Sequence, residues 1–205
     1  MNKVLLMKEK DIHAEISSIR DLMERSAKFI SLSGLSGVLA GIYALIGAGI
    51  GYNMLHNSSY EGKNVVSITQ LLIVALAVLI LSIGTAIWLS FKKAKKNGQQ
   101  FWGTGSKRLL VNMAIPLVSG GLFTFILIYH GHYSIVAATT LIFYGMALVS
   151  GSHYTYSAVK SLGIIQILLG LLAAFVPGYG LIFWAIGFGL LHIIYGTIMY
   201  FKYDS

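Results

Sequence analysis

SLSGLSGVLAGIYALIGAGIGY, residues 31–52, holds six glycines and no charged side chain. In water glycine is a weak helix former, costing about 1 kcal/mol per residue against alanine. A helix-length stretch with so many of them belongs where water does not compete for the backbone. In hydrocarbon every N–H and C=O must bond internally, so the bilayer itself holds such a segment helical. The small residues are then free for packing. Gly34, Gly37, Gly41, Ala44, Ala48 and Gly51 recur at alternating steps of three and four, which draws one continuous seam. In lipid such seams let helices approach closely, and van der Waals contact replaces the missing hydrophobic drive. A 3.5-residue repeat predicts a left-handed crossing near ~20°.

The rest of the chain has the same character. Of its 205 residues 56% are hydrophobic and 11% charged, against about 25% charged in a soluble domain. The deficit comes from charge-free runs near the ~20 residues that cross a bilayer. Six spans are expected, at 29–53, 66–91, 109–129, 134–150, 161–176 and 181–201. The expected fold is all-α: an integral membrane bundle of six transmembrane helices arranged as three hairpins over residues 28–205. An amphipathic cytoplasmic helix over residues 1–27 precedes it.

The net charge of +8 is unevenly placed. Fourteen of the fifteen basic residues precede span one, lie between spans two and three, precede span five or follow span six, and Lys63 alone falls in the other loops. The positive-inside rule then puts both termini and the 92–108 loop in the cytoplasm, the expected membrane being the bacterial inner membrane. This placement argues against nucleic acid as a partner. KKAKK at 92–96 also suits anionic lipid headgroups. There is no cysteine, which excludes disulfides and thiolate chemistry. A charged segment of 28 residues precedes the first apolar run, so span one is expected to serve as the insertion signal.

Residues 8–27 place Ile12, Ile16, Ile19 and Met23 on one face. Acids and bases balance on the other, unlike the cationic face of a membrane-surface helix. The segment is therefore expected to dock a partner protein or a second copy. The first members of the three hairpins share a loose plan, with a basic start and a Gly/Tyr outer end, which suggests a hairpin repeat. Residues 160–202, with LGIIQILLGLLAAFVPG at 162–178, resemble the two-span repeats of HdeD-like bacterial membrane proteins over about a fifth of the chain.

Span five carries Gly163, Gln166, Gly170 and Ala173 on one seam, and span six carries Ala185, Gly189, His192 and Gly196. Folding the two about the 177–180 turn sets Gly170 opposite Gly187 and Gln166 opposite Leu191, beside His192. Both polar side chains are expected inside the bundle and within reach of each other. An intramembrane ionisable residue is a functional candidate by default. Asn112 beside Pro116 would extend this polar set if the proline breaks span three, with Ser150 and His153 lining a cytoplasmic vestibule. Gly34, Gly37, Gly41, Gly170, Gly189 and Gly196 are the expected packing residues.

Other motifs point to less. His56, His130 and His132 fall on the outer side and form a weak metal set whose spacing is not diagnostic, so no metal or cofactor is expected. Ser150 and His192 invite comparison with the rhomboid family of intramembrane serine proteases. However, Leu148-Val149-Ser150-Gly151 lacks the first glycine of the GxSG pattern, and Ser150 sits at the cytoplasmic end. Gly103-Thr104-Gly105-Ser106-Lys107 follows no strand and has threonine where a phosphate loop needs lysine, so Ser106 is expected to cap span three. No span holds an acid. The expected role is non-enzymatic: binding of a partner protein, a lipid or a small apolar ligand. The alternative is a small-solute transporter or channel with its polar site near Pro116/Asn112 and Gln166/His192, and an intramembrane enzyme comes third.

Overall fold

A computed structural model of the chain describes residues 31–60 and 68–204. It is an all-helical membrane bundle, with no strand among the described residues. The helices are α1 (Gly34–Tyr60), α2 (Ile68–Lys96), α3 (Thr104–Tyr129), α4 (Val136–Gly151), α5 (Ser157–Phe175) and α6 (Gly180–Tyr203). All six are long and apolar enough to cross a bilayer, α4 when counted with its flanking 3₁₀ turns. The amphipathic helix expected before residue 28 lies outside the described residues.

Two local expectations change. The third helix begins at Thr104 rather than 109, and Ser106 is its third residue, not its cap. From there the Ser106 hydroxyl accepts from Gly103 N and donates to Gly103 O, both at 2.9 Å. Pro116 does not break α3, which is continuous from Thr104 to Tyr129. Neighbouring helices and local adjustments let transmembrane helices absorb a proline's missing donor.

The small-residue seams find partners, though not all the expected ones. The largest interfaces join α1 to α6 and α4 to α5. On the first, a Cβ at Gly41 would lie 2.6 Å from Gly189 O, and one at Gly37 3.1 Å from Gly196 Cα. A Cβ at Gly34 would run into Tyr200 N and Gly196 O. On the second, a Cβ at Gly145 would come within 2.6 Å of Gly163 O, and one at Gly170 within 2.9 Å of Ala138 O. The backbones themselves are therefore in contact along both pairs, as only glycine permits. Gly170 does not face Gly187, because α4 already fills the glycine face of α5. Gln166 meets Gly187 rather than Leu191, about one turn away from the register of two straight helices. The middle part of α6, Ala185–Leu191, which carries Gly187, is wound as a π-helix.

The two remaining helices flank these pairs. α2 lies on α1, where Gly47 accommodates Val78, and α3 lies on α4, where Gly120 accommodates Phe143. Their outer faces carry large exposed apolar side chains such as Ile73, Ile80, Ile115 and Phe125, which suit acyl chains.

One end of the bundle carries every described lysine and arginine. There Lys93 of α2 pairs with Asp204 at 2.5 Å, with only 12% and 9% of the two side chains exposed. Its ammonium also donates to Leu32 O (3.0 Å) and to the Tyr156 hydroxyl (3.2 Å). The second Asp204 oxygen accepts from Gly34 N (2.8 Å) and the Ser33 hydroxyl (3.2 Å). A carboxylate from the end of α6 thus caps the start of α1, where free N–H groups and the helix dipole favour negative charge. Tyr156 and Tyr203 stack beside it, centroids 4.0 Å apart.

Candidate functional site

Gly187, Phe188 and Gly189 lie within the π-helical part of α6. Short π segments widen a helix and often mark functional positions. Here the Gly187 carbonyl faces two side chains. Gln166 of α5, with no exposed surface, donates to it from Nε2 at 2.7 Å. His192 Nδ1 lies 2.9 Å from the same oxygen. A carbonyl only accepts, so Nδ1 carries the ring proton and Nε2 is left as an acceptor. The Tyr144 hydroxyl of α4, 2.8 Å from Nε2, then donates. In that tautomer the imidazole is bonded on both nitrogens and joins α4 to α6. Phe188 stacks on it at 5.9 Å and packs on Tyr144 at 5.0 Å.

Gln166 and His192 are therefore brought together through a shared carbonyl rather than by a direct bond. Reversing the Gln166 amide would set oxygen against oxygen at Gly187, so its orientation is determined. Among the described residues its Oε1 is the buried side-chain polar atom without a hydrogen-bond partner. A methyl on Gly187 would lie 2.6 Å from it.

The other expected site residues stand apart. The Asn112 amide donates to Arg108 O of its own helix at 2.8 Å, and no hydrogen bond links it to Gln166 or His192. Ser150 is half-buried near the end of α4, and His153 is exposed in the turn Ser152–Tyr154 that follows. His130 and His132 stack in the α3–α4 turn with centroids 6.5 Å apart, while His56 stacks on Tyr52 of α1. Among the described residues no three His, Cys, Asp or Glu gather as metal ligands.

Tyr144 escaped the sequence reading. The signal lay in its depth: a tyrosine in mid-span, away from the interfacial belts, needs a partner for its hydroxyl. Tyr144→Phe is expected to leave His192 Nε2 unpaired and to lower stability by about 1 kcal/mol, the scale of one interhelical hydrogen bond. Thermal unfolding in detergent would register this as a drop in Tm of a few degrees. An unchanged Tm would mean the bond contributes nothing.

These contacts define the chain as a six-helix membrane bundle with a closed polar node between three of its spans. No protein-family model, curated protein or solved structure matches it.

Proposed function

We propose that the chain is a multi-pass protein of the bacterial inner membrane, without catalytic activity, that binds a partner protein, a lipid or a small apolar ligand. Both termini lie in the cytoplasm, where the positive-inside rule sends the basic end. Residues 8–27 are the docking element, toward a partner or a second copy. One observation carries the non-enzymatic part of this reading. Both nitrogens of His192 are engaged between helices, Nδ1 by the Gly187 carbonyl and Nε2 by the Tyr144 hydroxyl, which supports a helix-joining role for the imidazole.

The test is removal of residues 1–27. The shortened chain is expected to keep the thermal unfolding of the full bundle and to run as a lone monomer by light scattering. The full chain should run with a stoichiometric second protein or as a dimer. A full chain that is itself monomeric, or a complex that survives the deletion, would contradict the docking role of residues 8–27.

A second reading, small-solute transport, has one observation in its favour: the unpaired Gln166 Oε1 in mid-membrane. It rests on Gln166 and His192, since Asn112 is spent on its own helix and Pro116 leaves α3 intact.

A further inference from the structure

The two glycine-lined pairs share one geometry. A Cβ at Gly41 would meet Gly189 O at 2.6 Å, Ile193 Cγ1 at 2.7 Å and Ile193 N at 2.9 Å. A Cβ at Gly145 would meet Gly163 O, Ile167 Cγ1 and Ile167 N at the same three distances. One turn pair further along, Gly196 faces Gly34 O and Val38 N, while Gly170 faces Ala138 O and Ile142 N. Hence α1 corresponds to α4, and α6 to α5. The sequences agree: Gly163-Ile-Ile-Gln166-Ile-Leu-Leu-Gly170 aligns with Gly189-Leu-Leu-His192-Ile-Ile-Tyr-Gly196. Gln166 and His192 occupy the same position in the two copies. The flanking helices follow, with α2 on α1 and α3 on α4. Successive spans alternate in direction, so carrying one triplet onto the other inverts every helix in the membrane. This is a different correspondence from the repeat of successive hairpins that the sequence suggests.

Within each triplet the glycine pair is locked backbone to backbone. Between triplets the seam is made largely by side chains, with Leu141, Gln166 and Leu169 against Gly187 and Phe183 against the Ala138–Leu141–Ala173 cluster. Relative movement therefore belongs to this seam. The copies also differ there: Ala185–Leu191 is π-helical, whereas its counterpart, residues 159–165, is ordinary α-helix. The triplets differ in chain order, α1–α2–α6 against α4–α3–α5, so they are a pseudo-symmetric pair rather than a tandem repeat. What they share with many secondary transporters is a midplane polar site beside irregular backbone.

We propose that this seam is a solute path and that Gln166 Oε1 is its docking acceptor, for a small uncharged molecule bearing an N–H or O–H. The proposal rests on the transport reading above. Oε1 accepts only, which calls for a donor. No charged side chain lies in the mid-membrane node, which disfavours an ion. A Cβ at Gly187 would lie 2.6 Å from the oxygen and run into Leu141 Cδ2, so the node is packed shut around it, and only a small molecule entering as the seam opens reaches it. Burying a carbonyl oxygen unpaired is unfavourable, and a bound donor removes that cost.

The experiment is stopped-flow light scattering on proteoliposomes, with water, glycerol and urea as separate probes. Wild type should pass at least one probe faster than protein-free vesicles. Gln166→Leu and Gly187→Ala, whose new methyl would crowd Oε1, should both fall to the protein-free rate. Acceleration of glycerol or urea identifies a solute as the donor, and acceleration of water alone identifies water. Should Gly187→Ala fail to elute as a monodisperse species, Gln166→Met, which keeps the volume, takes its place. Passage in wild type that persists in these variants overturns the Gln166 site and spares transport. If no probe passes, the transport reading and the site fall together.

Discussion

Gly196→Ala is expected to cost the bundle about 3 kcal/mol or more, well above an ordinary overpacking substitution. The new Cβ would stand 2.5 Å from Val38 N and 2.8 Å from Gly34 O. Both are backbone atoms of a helix, and neither can rotate away as a side chain would. α1 and α6 would have to separate, and contacts along the whole seam would weaken together because dispersion falls steeply with distance. Gly196→Leu should prevent the pair from forming. Gly121→Ala on α3 is the control, since a Cβ there meets nothing within 4 Å. It should leave stability unchanged or slightly raised. Unfolding in detergent mixtures of rising denaturing strength compares the three variants directly. Equal losses at Gly196 and Gly121 would reduce the effect to helix propensity.

The second large effect is expected at the basic end. Lys93→Met leaves the Asp204 carboxylate largely buried without its counter-ion, and Asp204→Ala does the same to the Lys93 ammonium. Removing one partner of a buried pair costs about 3–5 kcal/mol. Asp204→Ala should be the worse of the two, because it also strips the cap from Gly34 N and Ser33 at the start of α1. The double variant Lys93→Met/Asp204→Leu should cost clearly less than the sum of the single changes, with a coupling of about 1–3 kcal/mol. Additive losses would show that the two groups act independently, and that the 2.5 Å contact is incidental.

Which parts of this structure are legible in the sequence follows from the range of the forces. Span positions depend on local apolarity, so 66–91 foreshadows α2 and 181–201 foreshadows α6. Seam residues are legible as well, because Gly34, Gly37 and Gly41 share a face by helical period alone. Which seam meets which is not. The small-residue faces of α5 and α6 look equally suited to each other, and only the whole bundle shows that α4 and α1 take them instead. The contact of Gln166 with Gly187, one turn from the expected Leu191, and the π-helix in α6 are announced by no residue pattern. Asp204 and Lys93, far apart in the chain and outside the apolar runs, meet only because α2 and α6 both reach the start of α1. Whether Pro116 breaks its span is undecided in the sequence for a related reason: proline breaks an isolated helix, but a packed transmembrane helix tolerates it.

The fold as a whole depends on backbone contact between glycines of facing helices. The most direct test is solid-state NMR on the lipid-embedded protein with ¹³C-labelled glycine Cα. The structure predicts through-space cross-peaks joining Gly37 to Gly196, Gly41 to Gly189 and Gly145 to Gly163, with the Gly37–Gly196 peak lost in Gly196→Ala. A spectrum holding only correlations between glycines of the same helix would contradict it.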